Sequence, residues 1–183
     1  MMRLILVRHA EKTNPAKGKP HLTKKGHIQA KNLGKRLKSF KIDYIYSSDL
    51  LRAKETLSYI KKHHKVPVIV TSAFEELDDS VVDTPKAKLG RWKKKMDRAF
   101  KALDRIISRH ENETVLVLCH GILIKCFIAH LLKLDHRKGK HFHTSFTSIH
   151  IAEINGRDVK FCAINDINHL PRNMITEEYM KFD

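Results

Sequence analysis

The stretch Leu6-Val7-Arg8-His9-Ala10-Glu11-Lys12 ends an apolar run abruptly in an arginine and a histidine. The residues from Met2 to Val7 predict a buried strand, so the two polar side chains fall just beyond its carboxyl end. In an open α/β sheet, ligands bind in the crevice outside these strand ends. Arginine offers a planar fork for phosphate or carboxylate, and histidine can attack or carry protons at neutral pH. The stretch therefore predicts an anion-binding site at one edge of a sheet.

Two later parts of the chain repeat this arrangement. The apolar run 42–46 leads into Ser47-Ser48-Asp49-Leu50-Leu51-Arg52, which predicts a strand end, an N-cap and a helix with Arg52 in its first turn. The apolar run 114–118 passes through Cys119-His120-Gly121 into an apolar helix. Any one such residue alone is more often a surface ion-pair partner or a core histidine. Four of them at strand ends predict one shared site: Arg8, His9, Arg52 and His120.

Apolar periodicity predicts strands and helices in alternating order. Strands are predicted near residues 2–8, 43–46, 67–71, 114–119, 146–154 and 158–164, and helices near 23–38, 49–64, 87–110 and 121–133. This order is typical of an α/β fold, here a three-layer α/β/α sandwich with a mainly parallel sheet of about six strands. Asn155-Gly156 is a type I′ hairpin signal between the last two strands, which predicts one antiparallel edge strand.

Length and composition predict a single globular domain over residues 1–183. A chain of 183 residues with 42% hydrophobic content can build a normal core. No membrane span is expected because lysine and histidine interrupt the longest apolar runs, and the run from Met2 to Val7 is too short for a secretory signal. Three cysteines without a Cys-x-x-Cys pair argue against disulfides and structural zinc. We expect a cytoplasmic location.

The formal net charge of +16 favours anionic partners. A small phosphorylated substrate or a phosphoprotein would be steered toward such a chain in a salt-dependent way. The basic stretches 61–65 and 91–95 are interpreted as solvated helix faces, because no aromatic-interleaved motif or recognition helix accompanies them. Nucleic acid is therefore not the expected partner, and the sequence does not indicate an oligomeric state.

No cofactor or metal is expected either. His63 and His64 are neighbours, as are His141 and His143, but no carboxylate accompanies these pairs at a familiar ligand spacing. The chain holds 13 histidines, so such neighbours arise without a metal site.

Four blocks of sequence carry a family resemblance. They are L-V-R-H-A-E from Leu6, L-T-K-K-G-H-I-Q-A from Leu22, S-S-D-L-L-R-A-K-E-T from Ser47 and V-L-V-L-C-H-G from Val115. In this order they resemble the histidine phosphatase superfamily, also called the phosphoglycerate mutase-like family. The resemblance implies that His9 is a nucleophile that becomes phosphohistidine. It also implies a phosphate pocket formed by Arg8, Arg52 and His120.

The resemblance further implies an acidic proton donor after the third strand. With Phe74 in the apolar position of the family pattern, Glu76 matches the donor, and a slip of one residue would make it Glu75. Two positions depart from the pattern. Ala10 replaces the glycine that usually follows the histidine, and Asn14 lies one position from a substrate-contacting asparagine of some members, so it is a candidate substrate contact.

The residues also suit phosphoryl transfer on chemical grounds. Phosphate monoesters hydrolyse slowly unless charge on the equatorial oxygens is stabilised and the nucleophile is held in line. Two guanidinium groups should keep the imidazole of His9 neutral at pH 7, with its second nitrogen donating to an acceptor such as a backbone carbonyl. Like-charge repulsion in the acidic cluster around Glu76 should raise the pKa of one carboxyl group.

The sequence thus predicts a phosphomonoester or phosphoramidate hydrolase that works through phosphohistidine on His9, with Glu76 as the proton donor. The short connection between the third and fourth strands favours a phosphatase over a phosphoglycerate mutase-type phosphotransferase, since mutases of this family usually carry enclosing insertions. Two other hypotheses remain. One is a cysteine phosphatase built on Cys119 and Lys125, although lysine lacks the bidentate grip of arginine. The other is a phosphate- or nucleic-acid-binding protein without turnover.

Overall fold

The structure is a computed structural model that describes residues 1–176. Strands and helices alternate through most of this range, as predicted. The strands are β1 (Met2–Arg8), β2 (Tyr44–Ser48), β3 (Val68–Thr71), β4 (Thr114–Cys119), β5 (Ile149–Asn155) and β6 (Asp158–Asp166). The α-helices are α1 (Lys24–Leu37), α2 (Leu51–Lys61), α3 (Arg91–Arg109) and α4 (Gly121–Leu131). Short 3₁₀ turns cover Ser72–Phe74, Asp79–Val82, Lys86–Lys88, His136–His141 and Arg172–Met174.

The strands form one sheet in the order β3-β2-β4-β1-β5-β6. Parallel pairs join β3 to β2, β2 to β4 and β4 to β1, whereas β5 pairs antiparallel with both β1 and β6. The predicted α/β sandwich with a mainly parallel sheet is confirmed. The strand that runs against the others is β5, one position in from the edge, and β6 forms the edge itself.

Helices cover both faces of the sheet. Leu33 and Leu37 of α1 pack with Leu57 and Ile60 of α2 in one buried cluster against β1, β2 and β4. The opposite face carries α3 and α4, which place Leu103 and other apolar side chains in a second, larger cluster. Among the described residues, no helix is both long and apolar enough to span a membrane.

The hairpin between β5 and β6 lies where the sequence predicts it, but its turn type differs. Asn155 pairs with Asp158, so the central residues of the turn are Gly156 and Arg157 rather than Asn155 and Gly156. Of these two, only Gly156 has a positive φ, at 57°. A positive φ at the first central position alone is the pattern of a type II′ turn, and the predicted type I′ turn is wrong.

Two element boundaries shift for backbone reasons. Helix α3 begins at Arg91 rather than near residue 87, because Gly90 has φ 52° and ψ −125° and interrupts the helix. Strand β5 begins at Ile149 rather than at Phe146. Thr147 has φ 58°, a left-handed conformation that a β-branched residue rarely adopts, and it turns the chain before the strand starts.

The segment after β6 packs against the start of the fold. Gln29 of α1 donates to the carbonyl of Met174 at 2.8 Å, and Lys25 donates to the carbonyl of Ile175 at 2.9 Å. The hydroxyl of Thr176 donates to Glu11, two residues after His9. The segment that follows β6 is thus anchored as far as Thr176, and residues 177–183 lie outside the described part.

Candidate active site

The sheet order brings the predicted site residues to one edge. Strands β1 and β4 are neighbours, with Arg8 opposite Cys119, so the residues that follow them emerge side by side. The backbone N–H of His9 donates to the carbonyl of Cys119 at 3.0 Å. Because β2 lies beside β4, the start of helix α2 brings Arg52 to the same edge.

His9 is held in one defined tautomer. The ring is buried, with 1% of the residue exposed, and its Nδ1 lies 2.7 Å from the carbonyl oxygen of Ala10. A carbonyl can only accept, so Nδ1 carries the proton. On the other side of the ring, Nε of Arg52 donates to Nε2 of His9 at 3.1 Å. Nε2 therefore bears the lone pair, and Ala10 is the acceptor that sequence reasoning left unnamed.

The imidazole of His9 is neutral at pH 7. Burial lowers the pKa of His9 well below its ordinary value of 6.5, and the nearby His120, Arg8 and Arg52 lower it further. The predicted direction agrees with the structure, but its main cause does not. The sequence predicts the two guanidinium groups as the cause, whereas loss of hydration in the buried ring has the larger effect.

The two arginines are buried beside this ring. Arg8 is 7% exposed, and its Nη1 donates to the carbonyl of Thr144 at 2.7 Å. Its guanidinium carbon lies 4.0 Å from the centre of the Phe146 ring. The first residue of helix α4, Gly121, lies very close to the Arg8 side chain. A Cβ atom at this position would be only 3.1 Å from Nε of Arg8. Arg52, 8% exposed, completes the cationic side of the site.

His120 faces His9 across the site. The two ring centres are 5.0 Å apart in an edge-to-face arrangement. Nε2 of His120 lies 2.8 Å from Oγ of Ser48, while its buried Nδ1 has no hydrogen-bond partner within residues 1–176. Burial lowers the pKa of His120 well below 6.5, with further lowering by Arg52 and Arg8, so this ring is neutral as well.

Of the two candidate acids, Glu76 is the one at the site. Its Oε1 accepts from the backbone N–H groups of Leu77 at 3.0 Å and of Leu123 at 3.3 Å in the first turn of α4. Glu75 points elsewhere, since its Oε2 pairs with Lys95 at 2.9 Å. The structure therefore brings Glu76 rather than Glu75 together with the histidines, and its role as proton donor stays a prediction.

The pKa of the Glu76 carboxyl group lies near neutral pH. Burial raises the pKa of Glu76 to about 7 against the opposing effects of Arg8, the Leu77 N–H, Arg52 and the Leu123 N–H. The sequence predicts that repulsion within the acidic cluster raises this pKa, and that cause is wrong. Asp78 in that cluster instead has its pKa lowered by hydrogen bonds from the side chain and backbone of Ser80.

Comparison with known proteins decides the family. The model of the histidine phosphatase superfamily, branch 1, matches residues 4–88 and 78–167. The chain belongs to the histidine phosphatase superfamily. The predicted family is confirmed, and so is the prediction of a phosphatase-type enzyme.

Individual relatives within the superfamily carry different activities in their names. The chain is 28% identical over 186 residues to phosphoserine phosphatase 1 of Hydrogenobacter thermophilus, covering 84% of this chain and 88% of that protein. It is 27% identical over 164 residues to a probable phosphoglycerate mutase GpmB of Salmonella choleraesuis, covering 73% and 76%. A crystal structure of phosphoserine phosphatase from Entamoeba histolytica with 3-phosphoglyceric acid superimposes with a TM-score of 0.78 at 22% identity, covering 93% and 100%.

A metal ion does not suit this histidine phosphatase site. Within the described range, His9, Glu76 and His120 are the only His, Cys, Asp or Glu side chains grouped closely enough to share an ion, with ligand atoms within 4.8 Å of one another. Two guanidinium groups lie beside them, and Arg52 already donates to the lone pair of His9. Such a cationic surround repels a metal ion and attracts an oxyanion.

Two other candidates, Cys119 and Asn14, differ from these residues in their surroundings. Cys119 is completely buried in the core, and burial raises the pKa of its thiol far above the ordinary value, which argues against the cysteine phosphatase hypothesis. Asn14 is exposed in the loop after β1. Within residues 1–176, no hydrogen bond joins its side chain to the histidines or arginines, so a role for Asn14 stays a prediction.

Sequence reasoning missed the residues that orient the site. Ser48 and Thr56 both belong to the sequence block that starts at Ser47. Ser48 lies near His120, and Oγ1 of Thr56 accepts from the N–H of Ala10 at 3.1 Å. The signal that could have identified them is their position in the same family-like block as Arg52, which runs from Ser47 to Thr56. Thr144 and Phe146, which contact Arg8, lie in an irregular segment before β5. The sequence predicts that a strand begins at residue 146, and only the folded chain shows that this segment instead holds Arg8.

Proposed function

We propose that this protein is a phosphomonoesterase or phosphoramidate hydrolase in which Nε2 of His9 receives the phosphoryl group. One observation carries the proposal. The carbonyl of Ala10 holds the proton on Nδ1, and the N–H of Arg52 points at Nε2, so the lone pair is directed toward Arg52. A nucleophile prepared in this way needs no base to activate it.

The hydrogen-bond donors around His9 suit a phosphoryl group that is being transferred. On binding, a phosphate oxygen replaces Nε2 of His9 as the acceptor of the Arg52 N–H, which frees the lone pair for attack. Arg8 and His120 stabilise the other equatorial oxygens. Such preorganised donors are worth most in a water-poor site like this one, because no solvent competes for the developing charge.

Glu76 completes the first step as a general acid. The Nε2–phosphorus bond forms while the bond from phosphorus to the leaving oxygen breaks, and the protonated carboxyl of Glu76 gives its proton to that oxygen. In the second step the carboxylate takes a proton from water, whose oxygen attacks phosphorus and releases inorganic phosphate from His9. A pKa of about 7 allows both protonation states near neutral pH.

His120 is proposed to donate to phosphate through Nδ1. The hydroxyl oxygen of Ser48 accepts from the N–H of Leu50 at 3.3 Å, which leaves its proton available for Nε2 of His120 at 2.8 Å. If Ser48 donates there, the neutral ring must carry its own proton on Nδ1. That nitrogen has no partner in the described part of the chain and is therefore available to a phosphate oxygen.

Replacing Ser48 by alanine tests this arrangement. We expect kcat/KM to fall about tenfold, because His120 loses the bond that fixes its tautomer. Ser47→Ala is the matched control, since Ser47 is equally buried and its hydroxyl donates only to the carbonyl of Ser48. Steady-state kinetics that show equal losses for both variants would contradict a specific role for Ser48.

Arg52→Lys separates charge from geometry. Lysine keeps the positive charge but cannot present the guanidinium fork, so we expect kcat/KM to fall by about 10²- to 10³-fold. Arg36→Lys, at an exposed ion pair with Asp166, is the control and should retain nearly full activity. A loss below about threefold in Arg52→Lys would show that only net charge at this position matters.

The direct test of the proposed activity is a screen for phosphate release. The purified chain is assayed with p-nitrophenyl phosphate, phosphoserine, sugar phosphates, nucleotides, phosphopeptides and phosphohistidine, with and without a chelator. We expect chelator-insensitive release from at least one of them. Interconversion of 2- and 3-phosphoglycerate without net release of phosphate would instead support the mutase-type alternative. No turnover of any substrate would support a non-catalytic phosphate-binding protein.

The proposal extends to the setting of the enzyme. Small phosphorylated molecules or phosphoproteins are the proposed substrates, and a nucleic-acid partner is not proposed. All three cysteines are free thiols, which supports a reducing, cytoplasmic location. One six-stranded sheet contains strands from Met2 to Asp166, which supports a single domain over residues 1–183.

A further inference from the structure

A large groove of the described structure lies away from the histidines. It has a volume of about 730 Å³ and runs between strand β3 and helix α3. One wall is a line of basic side chains on α3, namely Lys94, Arg98, Lys101, Arg105 and Arg109. Their spacing of three or four residues puts all five on one face of the helix. At 1.5 Å per residue, the line is about 22 Å long.

The charge of this wall is largely uncompensated. Within residues 1–176, no carboxylate lies within ion-pair distance of Lys94, Lys101, Arg105 or Arg109. Asp97 is the one acidic residue in the lining, and it already pairs with Lys93 at 2.9 Å and Lys86 at 3.3 Å. Of the five basic residues in the lining, only Arg98 lies near a carboxylate of the described range, 3.9 Å from Oε2 of Glu75, and Glu75 already pairs with Lys95 at 2.9 Å.

The opposite wall is an open strand edge. Strand β3 ends the sheet and pairs only with β2 among the described strands. The N–H of Ile45 in β2 donates to the carbonyl of Pro67. Alternate residues of a strand bond to the same neighbour, so the backbone of Ile69 also bonds to β2. The backbone N–H and C=O groups of Val68 and Val70 therefore point away from the sheet. Ile69 and Val70 are 37% and 44% exposed. The edge can therefore accept a further strand.

We propose that this groove binds an acidic polypeptide segment that adds to β3 as an extended strand. Backbone hydrogen bonds to Val68 and Val70 would supply affinity, and alternate acidic side chains would face the α3 cations. A strand of about seven residues matches the length of the basic line. The site is separate from the phosphate pocket, and the proposal does not depend on the proposed enzymatic function.

Two other occupants fit the groove less well. A single-stranded nucleic acid needs exposed aromatic rings for base stacking, but Tyr46 and Phe74 in this groove are 8% and 0% exposed. A second copy of the chain, paired through β3 about a two-fold axis, would bring its own line of α3 cations to the same face of the joined sheet. The repulsion between the two lines disfavours that pairing.

The test measures binding of a fluorescein-labelled peptide of alternating glutamate and valine by fluorescence anisotropy. We expect the double variant Lys101→Gln, Arg105→Gln to weaken binding at least about fivefold. The control is Lys31→Gln, Lys35→Gln on α1, which removes the same charge from exposed positions with the same spacing and should change binding less than about twofold. Equal effects of the two double variants would mean unspecific attraction and overturn the proposal.

The variant Val70→Pro tests the strand edge. Proline removes an outward N–H without removing a bond to β2, and edge strands tolerate it. We expect at least about tenfold weaker peptide binding, with thermal unfolding confirming that the variant folds. Unchanged binding by Val70→Pro would overturn the proposal. So would tighter binding of a uridine oligonucleotide at the same residues, or a wild-type dimer that this variant dissociates.

Discussion

Replacing His9 by alanine is expected to lower phosphatase turnover by at least about 10⁴-fold, the scale seen when a nucleophile is removed from a preorganised site. No other described histidine accepts a hydrogen bond from Arg52 on one ring nitrogen while the other nitrogen donates to a backbone carbonyl. The substitution also removes the bond to the carbonyl of Ala10, so folding must be checked separately.

Two comparisons make the His9 result specific. His9→Asn keeps an amide N–H that can donate to the carbonyl of Ala10, so it should fold like the wild type and remain as inactive as His9→Ala. His27→Ala removes an exposed imidazole from α1 and should retain full activity. Turnover in His9→Asn within tenfold of the wild type would show that the attack on phosphorus comes from another group.

Replacing Glu76 by glutamine is expected to lower kcat by about 10²- to 10⁴-fold for alkyl phosphates, whose leaving group needs a proton. With p-nitrophenyl phosphate the loss should be much smaller in the first step, because p-nitrophenolate leaves without one. Glu75→Gln is the matched neighbour. Glu75 forms an exposed ion pair with Lys95, so its variant should lose less than about threefold.

The proposed role of Glu76 predicts the direction in which kcat/KM changes with pH. The first step needs protonated Glu76, and its pKa is raised to about 7 by burial, so kcat/KM should fall as the pH rises through about 7. His9 must be neutral, and burial lowers its pKa well below 6.5, so the acid limb should lie well below that value. In Glu76→Gln the alkaline limb near pH 7 should disappear. If it persists there, another group supplies the proton.

Much of the site was predictable because its residues follow strand ends. An apolar run that stops at Arg8-His9 or at Cys119-His120 marks the carboxyl end of a parallel strand, and adjacent ends share one edge. The choice between Glu75 and Glu76 could not be made from local pattern. It depends on which carboxyl meets the first turn of α4, a contact between residues distant in sequence.

The parts that sequence reasoning missed are set by tertiary packing. The sequence predicts that a strand begins at residue 146, but the segment that holds Thr144 and Phe146 is irregular and holds the guanidinium of Arg8. The causes of the pKa shifts could not be predicted from the sequence for the same reason. Burial is the largest cause for both His9 and Glu76, and charge patterns in the sequence do not reveal how completely a side chain is excluded from water.

The most direct test of the account is to trap the phosphorylated enzyme. The protein is mixed with a turned-over phosphomonoester, quenched within milliseconds in alkaline denaturant, digested and examined by mass spectrometry. The account predicts an acid-labile phosphate on Nε2 of His9, absent from His9→Asn and longer-lived in Glu76→Gln. Turnover at the normal rate with no phosphate on His9 at any quench time, or with phosphate on another residue, would contradict it.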